Sequence, residues 1–231
     1  MYVIKRKGEE EIFDEKKLRG FIGRAVNILP VLNTVDVDKL MKQVCNGVAQ
    51  RMCTSDIVSY VAETAASMAT QSYEYGHLAG RMEAMDLQTS TPNTFIEAMR
   101  QLKPILDPYF VQKVESHDYD MHINLEDDFK YDIIGLRTLK RSYLLKDDMG
   151  IVERPSYMLM RVAVFLCDTP AEAIEMYHTM VQGWYTHASP TLFNSGMKHH
   201  QLASCFLMSM KDDSIEAIYD TLKEVALISK S

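Results

Sequence analysis

The chain has 231 residues, of which 47% are hydrophobic and 25% are charged, and its formal net charge is −7 at pH 7. The negative charge argues against the broad basic surface that nucleic-acid binding requires. No uncharged apolar run reaches the roughly 18 residues that could span a bilayer. We therefore expect neither a nucleic-acid partner nor a membrane partner.

The N-terminus and the cysteines indicate a cellular compartment. Residues 1–6 contain neither the apolar core nor the cleavage site of a secretory signal, which predicts a cytoplasmic protein. The cysteines lie far apart, without a C-x-x-C pair or a histidine at zinc-ligand spacing, so we expect neither a disulfide framework nor a metal site. Cys45, Cys53 and Cys167 are expected to be small buried side chains.

The first 90 residues predict a small unit that begins with a β-hairpin. Tyr2–Ile4 and Glu11–Phe13 are β-prone and flank the turn residues Lys7 and Gly8. Helices are expected after the hairpin, because apolar residues recur at helical spacing. The expected helices are one capped by Asp14 and ended by Pro30, one over Val37–Val48, one capped by Thr54 and running from Ser55 to about Gln71, and one over Tyr75–Leu87. The polar residues 88–93 predict a boundary between two domains, 1–90 and 91–231.

The second unit is also predicted to be rich in helices. Thr169, Pro170 and Glu172 form the pattern of a capping box, and Asp213 with Glu216 repeats it ahead of another amphipathic segment. Between these helices, residues 202–210 are apolar and unbroken, which predicts a buried strand. The sequence offers no partner long enough to complete a parallel sheet with this strand, so we expect the chain to be part of a longer protein.

A basic cluster near the N-terminus predicts a phosphate site. Lys5 and Arg6 lie on the first strand of the hairpin, and Lys16 and Lys17 lie at the start of the following helix. Arginine offers a planar fork, lysine a point charge and a helix N-terminus backbone donors, which together suit a triphosphate. The alternative is a solvated basic edge balanced by the acidic residues 9–11, and composition alone favours it.

Cys205 admits two interpretations. It is either core filler in an apolar run or a thiol held where it can react, and the sequence alone favours the filler. The neighbouring Ser204 would point to the opposite face of an alternating strand.

The N-terminal unit resembles the ATP-cone, a regulatory nucleotide-binding domain. The resemblance is carried by Val3-Ile-Lys-Arg-x-Gly8, Phe13-Asp14 and Lys17-Leu18. It implies that ATP or dATP binds through the positions Lys5, Arg6, Glu11, Phe13, Lys17 and Thr54. Two positions depart from the family pattern. Val58 stands where the family often has an acidic or polar residue, and Thr89 stands where many members have lysine. These departures imply weaker nucleotide binding or the loss of inhibition by dATP.

The rest of the chain resembles the large subunit of class I ribonucleoside-diphosphate reductase. The motifs are Arg154-Pro-x-x-Met158-Leu-Met-Arg-Val162, Trp184-Tyr-Thr-His-Ala-Ser-Pro-Thr-Leu-Phe-Asn194, Leu202-Ala-Ser-Cys-Phe-Leu207 and Ser209-Met-Lys-Asp-Asp-Ser-Ile-Glu216. The fold implied is mainly α: a β-hairpin plus four-helix ATP-cone, followed by the helical N-terminal part of a truncated ten-stranded α/β barrel.

This resemblance also implies a function. Ribonucleoside diphosphates would be reduced to deoxyribonucleoside diphosphates by radical chemistry, with Ser189 and Ser204 on the substrate and Cys205 as one of two redox cysteines. The specificity site for a deoxynucleotide effector would include Asp213, Ser214 and Ile215.

The implied partners are a radical-generating small subunit, thioredoxin or glutaredoxin, and further copies of the large subunit in a homodimer or higher oligomer. No cofactor would be bound covalently. The second redox cysteine and the radical-bearing cysteine would lie outside this sequence, so the chain alone is expected to be inactive. The alternative is a non-catalytic nucleotide-sensing ATP-cone module or an inactive remnant.

Overall fold

A computed structural model describes residues 2–6, 8–47 and 51–230 and is mainly helical, as predicted. The predicted turn residue Lys7 and the predicted helix end Val48 lie outside the described residues. The strands are β1 (Tyr2–Ile4), β2 (Glu10–Ile12), β3 (Arg51–Cys53), β4 (Lys146–Asp147) and β5 (Gly150–Ile151). The α-helices are α1 (Glu15–Asn27), α2 (Val37–Cys45), α3 (Thr54–Ser67), α4 (Glu74–Ser90), α5 (Phe95–Gln101), α6 (Pro108–Glu115), α7 (Ile133–Ser142), α8 (Pro155–Leu166), α9 (Pro170–Val181), α10 (Ser189–Asn194) and α11 (Ile215–Lys230). Two 3-10 helices span Asp120–His122 and Leu125–Lys130. No helix in the described ranges has both the length and the apolar character needed to cross a bilayer.

The N-terminal sheet has the strand order β2-β1-β3. The predicted hairpin is confirmed, with Tyr2 opposite Ile12 in the antiparallel pair β1–β2. Gly8 has a φ of +85° in the turn, a left-handed conformation that favours glycine. Strand β3 was not predicted; it pairs parallel with β1 and leads directly into α3. The N-terminus of α3 therefore lies beside the first strand.

Two predicted caps in the N-terminal unit have different outcomes. Asp14 caps α1 as predicted, because its carboxylate accepts a hydrogen bond from the Lys16 backbone N–H at 2.8 Å. The prediction for Thr54 is wrong, since it is the first residue of α3 and makes no capping bond. Its hydroxyl instead donates to the carbonyl of Ile4 at 3.2 Å, because β3 places it against the sheet.

The hydrophobic core has two parts, and α4 contributes to both. Leu78 and Met82 pack in the core formed by α1–α4 and β1, whereas Ala84 and Leu87 pack with the helices that follow. Because α4 continues to Ser90, the chain passes from one core to the other without a flexible linker. The division into domains at residue 90 stays a prediction.

Buried arginines satisfy the C-terminal carbonyls of three helices. The ends of α-helices leave backbone carbonyls without intrahelical partners, and a cation there also interacts well with the helix dipole. The guanidinium groups and the carbonyls that they contact are Arg81 with Ala25, Ile28 and Pro30 around the end of α1, Arg154 with Gln88, Thr91 and Pro92 around the end of α4, and Arg161 with Leu192 and Ser195 at the end of α10.

In the second unit, one predicted capping box is confirmed and the other is displaced. Thr169 and Glu172 exchange the reciprocal bonds of a capping box at the start of α9. The cap of α11 is Ser214, whose hydroxyl accepts from the Ala217 N–H at 3.2 Å, so the prediction that Asp213 is the cap is wrong by one residue. The helix begins one residue later than its charge pattern indicated.

The predicted buried strand over residues 202–210 is wrong. The segment is irregular and mostly exposed, with Phe206 48% and Leu207 fully accessible to solvent. A strand needs a neighbouring strand to satisfy its backbone hydrogen bonds, and the described residues place none beside this segment.

Candidate nucleotide site and candidate redox segment

A cavity of about 540 Å³ opens between the N-terminal sheet, α1, α3 and the end of α4. All of the positions that the ATP-cone resemblance implies for the nucleotide line it, namely Lys5, Arg6, Glu11, Phe13, Lys17 and Thr54. They come from distant parts of the sequence, so the parallel β1–β3 pair and the packing of α1 bring them together. Small-molecule sites typically occupy roughly 300–1,000 Å³, and this cavity falls in that range.

The cavity wall combines apolar and charged surfaces. The apolar part comes from Val3, Phe13, Leu18, Phe21, Ile57, Val58 and Met85. The charged part comes from the cations Lys5, Arg6, Lys17 and Arg24 and the carboxylates Glu9, Glu11, Asp14 and Asp86. An apolar wall beside cations can hold a ring on one side and phosphate groups on the other. Both predicted departures, Val58 and Thr89, lie in the cavity lining.

One carboxylate holds two of the cations. Glu11 forms ion pairs with Lys5 at 2.8 Å and with Lys17 at 3.1 Å. Hydrogen bonds from Lys5 and then from Lys17 lower the pKa of the Glu11 carboxyl below its ordinary value. The two lysines thus meet at one point of the cavity, Lys17 from α1 and Lys5 from just after β1. Lys5 and Arg6 follow the strand and are not part of it, so the prediction that they lie on it is wrong.

Another carboxylate holds Arg6. The Nη2 of Arg6 lies 2.5 Å from Oδ1 of Asp86 and 3.0 Å from the Asp86 backbone oxygen. This contact joins the end of β1 to α4 across 80 residues of sequence. No local pattern in the sequence indicates it.

The fourth cation differs from the prediction. Lys16 does not line the cavity, so the expectation that it joins the phosphate-binding group is wrong. Its place is taken by Arg24, whose guanidinium lies 5.9 Å from the centre of the Phe21 ring. Lys17, Phe21 and Arg24 follow the i, i+4, i+7 spacing of one helix face, and this signal was available in the sequence.

The predicted substrate residues do not form one site in the described structure. Ser189 is the first residue of α10, and its hydroxyl lies 2.8 Å from that of Tyr143. Ser204 and Cys205 lie in the exposed segment, with 3.7 Å between the hydroxyl oxygen and Sγ. Asn194 donates to the Gln201 carbonyl at 2.8 Å and so ties the start of this segment to α10. No described hydrogen bond joins Ser189 to Ser204 or to Cys205.

The predicted specificity residues lie at the start of α11. Ser214 caps the helix, and Ile215 is 76% exposed. Asp213 donates its backbone N–H to the Asp212 carboxylate. None of the three lines the cavity of the N-terminal unit.

The remaining cysteines follow the prediction only in part. Cys167 is buried, as expected, whereas Cys45 is half-buried and Cys53 is exposed. The prediction for Cys53 is wrong because it precedes α3 at the end of β3, where its side chain meets solvent. Within the described ranges, no three His, Cys, Asp or Glu side chains are grouped so that they could hold a metal ion.

Two family models match separate parts of the chain. Residues 1–90 match the model of the ATP cone domain, and residues 129–200 match that of the ribonucleotide reductase all-alpha domain. The ATP-cone match contains all of the predicted nucleotide residues of the cavity.

Individual relatives extend this similarity to the whole chain. The chain is 40% identical to a ribonucleoside-diphosphate reductase large subunit of Arabidopsis thaliana over 100% of its own length and 30% of the relative. The large subunit of Variola virus is 40% identical, with 32% of its length covered. The large chain of Schizosaccharomyces pombe is 39% identical, with 30% covered. The chain therefore spans about 30% of the length of the curated relatives that it matches.

Proposed function

Because the chain belongs to the family of ribonucleoside-diphosphate reductase large subunits and carries an ATP-cone domain, we propose that the cavity of the N-terminal unit binds ATP or dATP as an allosteric effector. The observation that carries this proposal is the meeting of Lys5, Arg6 and Lys17 beside an apolar wall in one cavity. The ring of the nucleotide packs on the wall, and its phosphates lie at the cations.

The three cations offer different phosphate contacts. Arg6 presents a planar fork that matches phosphate oxygens, whereas Lys5 and Lys17 supply point charges. Charge-assisted hydrogen bonds of this kind are stronger than neutral ones. When the nucleotide binds, its phosphates replace the carboxylates of Glu11 and Asp86 as the ion-pair partners of these cations.

The two departures in the lining weaken the site. Val58 has no hydrogen-bonding group, and Thr89 has no charge. The Thr89 hydroxyl already donates to the Met85 carbonyl at 2.8 Å, within α4. A nucleotide consequently loses polar contacts at both positions, which supports weak binding or the absence of dATP inhibition.

Calorimetry on the chain with ATP and with dATP tests the proposal. Replacing Arg6 by Gln removes a charge-assisted contact of about 1.5–3 kcal/mol, so we expect at least about tenfold weaker binding. Arg19→Gln is the matched control, because Arg19 lies on α1 but pairs with Asp38 outside the cavity lining. If the folded chain gives no binding heat with either nucleotide at millimolar concentration, the proposed function is wrong.

For the protein to which the chain belongs, we propose the reduction of ribonucleoside diphosphates to deoxyribonucleoside diphosphates. Loss of a ribose hydroxyl as water requires two electrons, which two thiols supply when they close to a disulfide and release two protons. Cys205 is one of these thiols, and Ser189 and Ser204 hold the substrate. The exposure of Cys205 and the names of the relatives support this role.

The same proposal includes partners and location. A small subunit supplies the radical, thioredoxin or glutaredoxin reduces the disulfide again, and large subunits associate as homodimers or higher oligomers. Asp213, Ser214 and Ile215 contribute to the specificity site for a deoxynucleotide effector. We also propose that the enzyme acts in the cytoplasm. The names of the relatives, large subunit and large chain, support the partnership with a small subunit.

A further inference from the structure

Asp86 is a carboxylate in a cavity lined by cations, where an anionic ligand is proposed to bind. It lies on α4, with its side chain 24% exposed, and its Oδ1 is 2.5 Å from Nη2 of Arg6. The same nitrogen of Arg6 donates to the Asp86 backbone oxygen at 3.0 Å. Oδ1 of the aspartate thus accepts from Arg6 at a position that a phosphate oxygen would otherwise take.

The other acidic residues of the cavity lining differ from Asp86 in what they contact. Asp14 is engaged in capping α1, and Glu11 holds the two lysines. Glu9 lines the cavity, but its side chain forms no ion pair among the described residues. Among the carboxylates of the described lining, Asp86 is therefore the one that pairs with Arg6.

We propose that Asp86 is an internal ligand of Arg6 that competes with the phosphates of an incoming nucleotide and lowers the affinity of the cavity for triphosphates. This inference rests on the proposed nucleotide binding. A phosphate reaches Nη2 of Arg6 only after the Arg6–Asp86 pair opens, and the displaced carboxylate then adds a like charge beside the phosphates. Nucleotide affinity is consequently set partly by a residue of α4 and not only by the hairpin and α1.

A second cavity beside Asp86 offers space for the displaced carboxylate. Asp86 also lines this cavity, which measures about 590 Å³ and lies between the end of α4, α5 and the β4–β5 hairpin. Lys140 of α7 lines this second cavity too, and its Nζ now pairs with Glu83 at 3.0 Å. Rotation of the Asp86 side chain toward that cavity removes it from Arg6 and places it in a cavity that Lys140, Glu97 and Asp147 also line.

Titration calorimetry with ATP and with adenosine, on the 231-residue chain and its Asp86→Asn variant, tests the competition. Exposed ion pairs are weak, so we expect a gain in ATP affinity of about two- to fivefold. Adenosine has no phosphates, and its affinity should not change. Glu9→Gln is the matched control, since it removes the same charge from the same cavity without freeing a cation. An equal gain with Glu9→Gln would show that only net charge matters and would overturn the proposal.

The Arg6→Gln background provides the second measurement. If Asp86 acts by occupying Arg6, the gain from Asp86→Asn disappears when Arg6 is absent, and a double-mutant cycle measures this coupling. A gain that persists in that background contradicts the proposal. A loss of ATP affinity in Asp86→Asn that appears only with Mg²⁺ also contradicts the proposal, because Asp86 would then be a metal ligand in the bound state.

These outcomes separate the inference from the function on which it rests. ATP binding by the unchanged chain with no gain in Asp86→Asn refutes the role of Asp86 alone. The absence of ATP binding in the unchanged chain and in all variants, each shown by circular dichroism to be folded, refutes nucleotide binding and the inference with it.

Discussion

Arg161 and Glu153 form an ion pair that is completely buried, with 2.6 Å between Nε and Oε1 and 3.1 Å between Nη2 and Oε2. Arg161 also donates to the carbonyls of Ser195 and Leu192. Glu153 accepts from the Leu145 N–H at 2.9 Å. The pair thus joins α8 to the end of α10 and to the segment before β4, and it fixes the helix that begins with the predicted substrate serine.

Removing Arg161 should be strongly destabilising. Arg161→Met leaves the Glu153 carboxylate buried without its partner, which typically costs about 3–5 kcal/mol of unfolding free energy. Urea denaturation measures the change. Arg100→Gln is the control, because Arg100 pairs with Glu115 at 3.4 Å on the surface and should cost less than about 1 kcal/mol. Equal losses in the two variants would contradict the role of the buried pair.

Two glycine-to-alanine substitutions should change stability in opposite directions. A Cβ at Gly80 would lie 2.3 Å from the Tyr131 carbonyl oxygen and 2.7 Å from the Asp132 carbonyl carbon, so α4 must move away from the segment before α7. We expect Gly80→Ala to cost about 1–3 kcal/mol. Gly20 on α1 has no neighbour within 4 Å of that position, and Gly20→Ala should stabilise by about 0.5–1 kcal/mol. Thermal melts of both variants check the signs, and a stabilised Gly80→Ala would refute the close approach.

The parts of the fold that the sequence predicts well are those fixed by local interactions. Asp14 and the Thr169–Glu172 box begin helices as predicted, because their bonds reach only a few residues along the chain. The exposed segment 202–210 was predicted wrongly because a hydrophobic run shows that burial is favourable, but not whether a neighbouring strand is present. The three-residue β3 was missed because so short a strand has no periodicity to detect.

The candidate site follows the same division. The resemblance to the ATP-cone identified residues that the structure brings into one cavity. Arg24 was missed although its helical spacing from Lys17 was visible. Asp86 had no local signal, since its contact with Arg6 spans 80 residues and depends on how α4 packs against the sheet.

Acid should remove the stabilisation that Glu11 provides. The folded state lowers the pKa of Glu11 below the ordinary 4.5, first through Lys5 and then through Lys17. Stabilisation by the carboxylate is therefore fully present above about pH 4.5 and is lost as the pH falls through the lowered pKa. We expect Glu11→Gln to lower the unfolding midpoint at pH 7 and to match the unchanged chain in strong acid. Glu9→Gln should lack this pH-dependent difference, and a constant difference for Glu11→Gln would contradict the assignment.

The cysteines should differ in their rate of alkylation. Cys205 and Cys53 are exposed, whereas Cys167 is buried and its pKa is raised, chiefly by burial and then by Glu172. Because the thiolate is the reactive form, we expect iodoacetamide to label the two exposed thiols about tenfold faster than Cys167, or more. Mass spectrometry of the labelled peptides gives the rates. Labelling of Cys205 as slow as that of Cys167 would show that it is core filler after all.

Cys205 should be required for repeated turnover in a complete reductase large subunit that contains this chain. A serine hydroxyl cannot form a disulfide, so Cys205→Ser prevents the dithiol from delivering two electrons to the substrate. Cys53→Ser is the matched control, since it replaces another exposed thiol, at the start of α3 in the N-terminal unit. With the radical-generating subunit, a ribonucleoside diphosphate and a thiol reductant, we expect deoxynucleotide formation over many turnovers for Cys53→Ser and none for Cys205→Ser. Thermal melts of both variants verify that each remains folded. Full multiple-turnover activity of Cys205→Ser would exclude the redox role, because a thiol that can be removed without consequence is not the reductant.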